Sequence, residues 1–156
     1  MTQVLAAIRP DDWNFPLLVH VFGALVLVGA LTTAVALQFA AWRTDRLELG
    51  RLAFRTLLFI AFPAWWVMRI GAQWIYSKEG WDDLPDEAVP TWIDIGFIVA
   101  DLGALLTVIA LVVGGIGVRR LRDGKGAGLL KATMVIAWLV LAAALVAVWA
   151  MSGKPD

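Results

Sequence analysis

Four long apolar segments, separated by short polar stretches, constrain the fold of this chain more than any other feature. An α-helix rises about 1.5 Å per residue, so about 20 apolar residues cross the hydrocarbon core of a bilayer. Hydrophobic residues make up 61% of the chain and its mean hydropathy is +0.79, whereas a soluble domain is about 45–50% apolar. We therefore expect an all-α membrane protein with one transmembrane domain over residues 1–156 and helices at about 13–42, 52–76, 91–118 and 129–151.

The connecting stretches predict how these helices are joined and oriented. Short connectors such as 43–51 make successive helices antiparallel neighbours, so we expect an antiparallel four-helix transmembrane bundle. Cations concentrate in and beside the first and third connectors, at nine positions: Arg43, Arg46, Arg51, Arg55, Arg119, Arg120, Arg122, Lys125 and Lys131. The opposite side has three: Arg9, Lys78 and Lys154. By the positive-inside rule, both termini and the acidic loop 77–90 face the outside of a bacterial inner membrane.

Composition also excludes several classes of function. The chain has no cysteine, which rules out disulfides, thiolate metal sites and thiol nucleophiles. Its single histidine rules out any site that needs two imidazoles from one chain. The net charge is zero, so the chain has no excess of basic residues that would indicate nucleic-acid binding. No hydrolase, nucleotide-binding or zinc-protease motif is present, so we expect a protein that is not an enzyme.

One charged residue lies within an otherwise apolar span. Arg69 stands in the segment FPAWWVMRIGAQWIY, residues 62–76. A charge at that depth costs about 2.5 kcal/mol or more unless it is paired or hydrated. On a helix, residues at three- and four-residue steps share a face, and the polar and aromatic residues recurring at such steps here are Trp65, Trp66, Arg69, Gln73 and Tyr76. We expect this face to take part in ligand binding.

Polar residues of three predicted helices fall at similar depth. By helical rise, His20 and Arg69 lie roughly 10 Å inside the outer boundary and Asp101 roughly 14 Å. Asp94 lies nearer the surface, seven residues before Asp101 and on the same face. Intramembrane charges usually pair, so we expect an ion pair between Arg69 and Asp101. The pair either holds the bundle in register or positions a ligand, a proton or an ion.

His20 has three interpretations. It can be a neutral imidazole that is hydrogen-bonded to a neighbouring helix, a metal or haem ligand, or a proton-transfer group. Met68 lies near the same depth, and a thioether beside an imidazole suits Cu(I). Gln38 follows His20 by 18 residues, five helical turns, so both side chains point the same way.

The first helix carries a family resemblance. Its segment LLVHVFGALVLVGAL, residues 17–31, places Gly23 and Gly29 after His20 in an apolar run. This segment resembles the opening of uncharacterised bacterial four-helix membrane proteins, which are loosely similar to the membrane domain of CopD-type copper-resistance proteins. The resemblance implies copper handling through histidine, and four-helix membrane bundles more widely hold haem. With one histidine, a bis-histidine haem within a single subunit is ruled out.

These observations support one leading function and two alternatives. The leading expectation is an outward-facing polar pocket, formed by His20, Arg69, Gln73, Asp94 and Asp101, that binds or passes a small ligand or metal ion, with copper the first candidate. The first alternative is a structural or accessory subunit of a membrane complex. The second is a haem- or quinone-binding electron-transfer anchor. Expected partners are the lipid bilayer and either a second copy of the chain or another membrane subunit.

Overall fold

Residues 11–153 form four long helices joined by short connections. A computed structural model describes the backbone of residues 11–153 and the side chains of residues 15–85 and 87–153; Arg9 and Lys154, two of the outer cations, lie outside this range. The helices are α1 (Asp11–Thr44), α2 (Leu47–Lys78), α3 (Thr91–Arg120) and α4 (Ala127–Gly153). All four are long and apolar enough to cross a membrane, and residues 11–153 contain no strand. The expected all-helical class with four long apolar helices is confirmed.

The helices extend beyond their predicted bounds, most of all at the start of α2. The sequence predicts that α2 starts near residue 52, but the helix begins at Leu47, which leaves only two residues between α1 and α2. Leucine, glutamate and arginine in this stretch are good helix formers, so charged residues past the apolar span continue the helix. The reversal between the helices is made at Asp45, whose φ is 52°, a value in the left-handed region that aspartate tolerates better than most residues.

A wide helical turn precedes the proline of α2. Pro63 lacks a backbone donor, and its ring crowds the carbonyl of the residue four positions earlier. Residues Leu57–Ala61, directly before Phe62 and Pro63, form a π-helical segment between two α-helical ones, Leu47–Thr56 and Phe62–Lys78. The irregularity expected at Pro63 therefore takes the form of a π segment, which gives the crowded carbonyls more room.

Glycines set the spacing between neighbouring helices. A Cβ built on Gly23 of α1 would collide with the backbone nitrogen of Met68 in α2, and one on Gly71 would lie 2.6 Å from the backbone nitrogen of His20. At the other end of these helices, a Cβ on Gly50 would lie 3.2 Å from Leu130 of α4. The helices approach this closely because small residues carry no side chain into the contact.

The four helices do not pack evenly. Helix α1 contacts α2 along its length and also packs against α4, while α3 packs mainly on α4. Contacts between α2 and α3 are sparse. A core of small and aliphatic residues fills the middle of the molecule, with Leu31 and Leu57 among its most buried members. We call the end that carries residues 79–90 the loop end; there the wide spacing of α2 from α3 leaves a cavity.

Replacing Gly23 with alanine should destabilise the protein by about 1–3 kcal/mol, because the added methyl group meets backbone of α2 that cannot rotate away. Gly29→Ala is the matched control on the same helix, since a Cβ there meets nothing within 4 Å. Reversible unfolding in detergent micelles measures both changes. Equal losses in the two variants would contradict glycine-mediated packing at Gly23.

Candidate ligand-binding site

Arg69 makes three contacts, two of which bridge α2 to α3. Its Nε–H donates to Oδ1 of Asp101 at 3.1 Å, and an Nη1–H donates to Oε1 of Gln73 at 3.0 Å. Its guanidinium carbon also lies 4.6 Å from the centre of the Phe97 ring. The expected ion pair of Arg69 with Asp101 is thus present. Gln73, one helical turn further along α2, accepts a second hydrogen bond from the guanidinium.

The ion pair lies at the edge of the bundle. The side chain of Arg69 is 23% exposed, and that of Asp101 is 61% exposed. Asp94 is also exposed on α3, and no described hydrogen bond or ion pair joins it to Arg69. The structure therefore places Arg69 at the seam between α2 and α3, with Asp101 on the outer surface. The two aspartates do not converge on a common point inside the bundle.

The aromatic residues before Arg69 point in two directions. The indole Nε1–H of Trp65 donates to the carbonyl oxygen of Ala100 in α3 at 3.0 Å, and this side chain is half-buried. Trp66 is 50% exposed and contacts the Trp65 ring edge-on, with 4.8 Å between ring centres. Successive residues of a helix are rotated by about 100° about its axis, so adjacent residues such as Trp65 and Trp66 cannot both face the interior. Trp65, Arg69 and Tyr76 face inward, while Trp66 and Gln73 are exposed.

His20 is hydrogen-bonded to the neighbouring helix. Its Nδ1 lies 3.0 Å from the carbonyl oxygen of Met68 in α2. A carbonyl oxygen only accepts, so this bond requires the proton on Nδ1 and leaves the lone pair of a neutral ring on Nε2. The hydrogen bond expected between His20 and a neighbouring helix is present, and it leaves a role for Nε2 as a ligand or proton-transfer group open.

A cavity of about 350 Å³ lies between all four helices toward the loop end. Cavities of roughly this size, about 300–1,000 Å³, are typical of small-molecule sites. Most of its walls are aliphatic or aromatic. Apart from the tryptophans, six lining residues have polar side chains: His20, Arg69, Tyr76, Glu79, Thr107 and Ser152. The cavity suits a largely apolar ligand that has a small polar part.

The cavity includes only part of the predicted site. Among the residues predicted to bind a ligand or a metal, five line the cavity: His20, Trp65, Met68, Arg69 and Tyr76. Four do not: Trp66, Gln73, Asp94 and Asp101. The predicted polar pocket is therefore split into an apolar cavity and a charged seam beside it, joined at Arg69. Within the described side chains, no group of three or more histidine, cysteine, aspartate or glutamate residues could hold a metal ion.

Several lining residues were not predicted from the sequence. Gly96 and Phe97 of α3 face the cavity, and so do Ala144, Ala147 and Met151 of α4. These are small, aromatic or apolar residues without a chemical signature in the sequence. At the loop end, the Trp81 Nε1–H donates to Oε2 of Glu79 at 2.7 Å, and both residues border the cavity. The loop therefore covers the cavity in part.

Comparison with protein-family models, with curated proteins and with solved structures finds no match to this chain.

The coupling between Arg69 and Asp101 should exceed that of a fully exposed pair. Exposed pairs contribute about 0–1 kcal/mol, while removing one partner of a buried pair costs about 3–5 kcal/mol. Arg69 is 23% exposed and Asp101 61% exposed, so this pair lies between these limits and we expect a coupling of about 1–3 kcal/mol. A double-mutant cycle of Arg69→Met and Asp101→Asn, measured by unfolding in micelles, tests this value.

Asp94→Asn is the control, because this exposed carboxylate has no described bond to Arg69. Its cycle with Arg69→Met should give a coupling near zero. Equal coupling for the two aspartates would show that general charge at the seam, rather than the 3.1 Å contact, stabilises the protein.

Proposed function

We propose that this protein is an antiparallel four-helix bundle in the bacterial inner membrane, with both termini outside. Residue numbers rise along one helix as they fall along the next, which supports the antiparallel order. Between α1 and α2 the contacts are Gly71 with His20 and Gly50 with Ala41, and between α3 and α4 they are Gly96 with Met151 and Gly114 with Thr133. The nine cations near the two connectors support the orientation. In this arrangement the cavity lies in the outer half of the membrane, beneath the acidic loop.

We further propose that the cavity binds a small, lipid-soluble organic molecule with a carbonyl group, such as a quinone. The observation that carries this proposal is the apolar, 350 Å³ space with Arg69 and His20 in its walls. An apolar body gains free energy by leaving water for such walls, and a few fixed polar groups orient it. The protein acts as a binding or carrier protein and catalyses no reaction of its own.

Hydrogen-bonding capacity favours a neutral acceptor over an ion. The guanidinium of Arg69 has five N–H donors, of which Asp101 and Gln73 take two. The remaining donors can serve a carbonyl oxygen of the ligand. Because Asp101 already balances the charge of Arg69, a second full charge in the apolar cavity would lack compensation. A cation is disfavoured further, because the cavity wall beside it would present the N–H donors of Arg69 rather than acceptors.

Aromatic side chains supply a second argument. Trp65, Tyr76 and Phe97 line the cavity beside Arg69, and the Tyr76 and Phe97 rings meet edge-on with 5.3 Å between their centres. Aromatic rings prefer offset or edge-on contact with other rings. A flat conjugated ligand can therefore contact these rings while its carbonyl group reaches Arg69.

Filling the cavity should abolish binding of a quinone probe. Ala144→Phe puts a large ring into the cavity, and Ala142→Phe puts the same ring on the exposed face of α4. Decylubiquinone should quench the tryptophan fluorescence of the native protein saturably, and Ala144→Phe should weaken this by at least about tenfold, or about 1.4 kcal/mol. Ala142→Phe should bind like the native chain. Equal binding by both variants would contradict the proposal.

Copper is the second candidate, and one observation favours it. His20 keeps Nε2 free of described partners, and Met68 lines the same cavity. Imidazole and thioether suit Cu(I). Elemental analysis of purified native protein and of His20→Gln, after loading with Cu(I), distinguishes the candidates. Stoichiometric copper that is lost in the variant would replace the quinone proposal, and absence of copper from both would remove this candidate.

An accessory role in a membrane complex is the remaining alternative. It is favoured by the Asp101 side chain, which is 61% exposed on the face of α3 and would meet lipid in a lone bundle. A second copy or another membrane subunit that covers this face would shield the carboxylate. A cysteine placed at the neighbouring exposed position Ile98 should then form cross-links in native membranes.

A further inference from the structure

At the end of the molecule opposite the loop end, one buried amide has no partner within the described part of the chain. Gln38 of α1 is 4% exposed, and neither its Oε1 nor its Nε2 has a hydrogen-bond partner among the described residues. Buried polar groups are nearly always hydrogen-bonded, because an unmade bond is costly. An amide that is both donor and acceptor therefore indicates a missing partner that can also donate and accept.

Gln38 lines a second cavity, of about 180 Å³, between α1, the start of α2 and the start of α4. Asp45 and Lys131 also line it, together with apolar side chains that include Trp42 and Leu47. The ammonium group of Lys131 lies 5.2 Å from the centre of the Trp42 ring. The cavity thus combines an amide, a cation, a carboxylate and an apolar wall.

This end of the protein is strongly basic. It carries the nine cations of the two connectors and only three acidic residues, which are Asp45, Glu48 and Asp123. Basic pockets between transmembrane helices on the cytoplasmic side typically bind phosphate-bearing lipid headgroups. The charge around the cavity therefore favours an anionic ligand.

We propose that this second cavity binds the headgroup of an anionic phospholipid whose phosphate carries a glycerol unit. Lys131 pairs with the phosphate, and the glycerol hydroxyls bond the amide of Gln38, which can turn toward them about its soft terminal torsion. The carboxylate of Asp45 accepts from a hydroxyl and disfavours a bare phosphate in the same space. The proposal rests on the membrane placement proposed above and is independent of the ligand of the larger cavity.

The surroundings of the cavity favour a lipid over a free phosphate ester. Trp42 is 51% exposed and Leu47 is 46% exposed, so the apolar wall continues onto the outer surface of the bundle. Phe39, one turn before Trp42, is also exposed and contacts the Trp42 ring edge-on. Acyl chains can lie along this surface while the headgroup enters the cavity, and tryptophan commonly lies at this level of a membrane.

The test measures thermal unfolding of the full chain in neutral detergent with increasing dioleoylphosphatidylglycerol, dioleoylphosphatidylcholine or glycerol 3-phosphate. The variants are Lys131→Gln, which removes the charge, and Gln38→Leu, which removes the amide. Lys125→Gln is the matched control, because this exposed cation lies at the same end but does not line the cavity.

Of the three additives, we expect only phosphatidylglycerol to raise the unfolding temperature saturably. Lys131→Gln should raise the half-saturating concentration by about tenfold or more, the loss typical of a hydrogen bond to a charged group. Gln38→Leu, which removes bonds to neutral hydroxyls, should raise it by about threefold to tenfold. Lys125→Gln should respond like the native chain. Decylubiquinone binding should stay unchanged in all three variants, which separates this test from that of the larger cavity.

Four results would each overturn the proposal. Equal protection by phosphatidylcholine would show general lipid solvation, and full protection by glycerol 3-phosphate would show a site for a free phosphate ester. Equal loss in Lys125→Gln and Lys131→Gln would show attraction by diffuse charge. A Gln38→Leu variant that is more stable than the native chain and keeps its response to lipid would show that the amide has no ligand.

Discussion

The close contact between α1 and α2 depends on two glycines that face opposite backbones. Gly23 lies against the backbone of Met68, and Gly71 lies against that of His20. In a bilayer, apolar side chains gain little by leaving lipid, so helices associate through close packing and interhelical hydrogen bonds. Both are found at this contact, because the approach that the glycines permit also brings Nδ1 of His20 to 3.0 Å from the carbonyl oxygen of Met68.

The larger cavity follows from the uneven packing around this contact. Helix α1 packs closely on α2, and α3 packs chiefly on α4. Helices α2 and α3 meet at few points, and the bonds of Trp65 and Arg69 span the gap between them. Polar side chains are long enough to hold two helices together at a distance where aliphatic contact would be lost. The cavity remains open because charged and aromatic groups, rather than glycines, connect this pair.

The two ends of the bundle use polar groups differently. At the loop end, the guanidinium of Arg69 is matched by a carboxylate, an amide and a ring. At the other end, the buried amide of Gln38 has no hydrogen-bond partner among the described residues. It lines the same cavity as Lys131, whose ammonium group lies over the Trp42 ring. The contacts of Arg69 each stabilise the bundle without a ligand, and the donors that they leave on its guanidinium are available to one. The unsatisfied amide beside the second cavity is the observation on which the proposed headgroup site depends.

Much of the fold could be predicted because it follows from local pattern. Four apolar spans specify four helices, since only a helix satisfies every backbone group in lipid without another strand. The ion pair of Arg69 with Asp101 was predictable because both charges need a partner at a similar depth. Depth is a one-dimensional quantity, and helical rise is enough to calculate it.

The set of residues that line the site could not be predicted in the same way. Whether Asp101 faces the bundle or its surface depends on the rotation of α3 about its axis, and packing against α4 sets this rotation. Only the tertiary structure shows that the small residues Ala144 and Ala147 line the cavity. Sequence alone determined which segments are helices and which charges needed partners, because lipid penalises each exposed polar group locally. Only the tertiary structure decided which faces enclose space, because a cavity is a property of four helices at once.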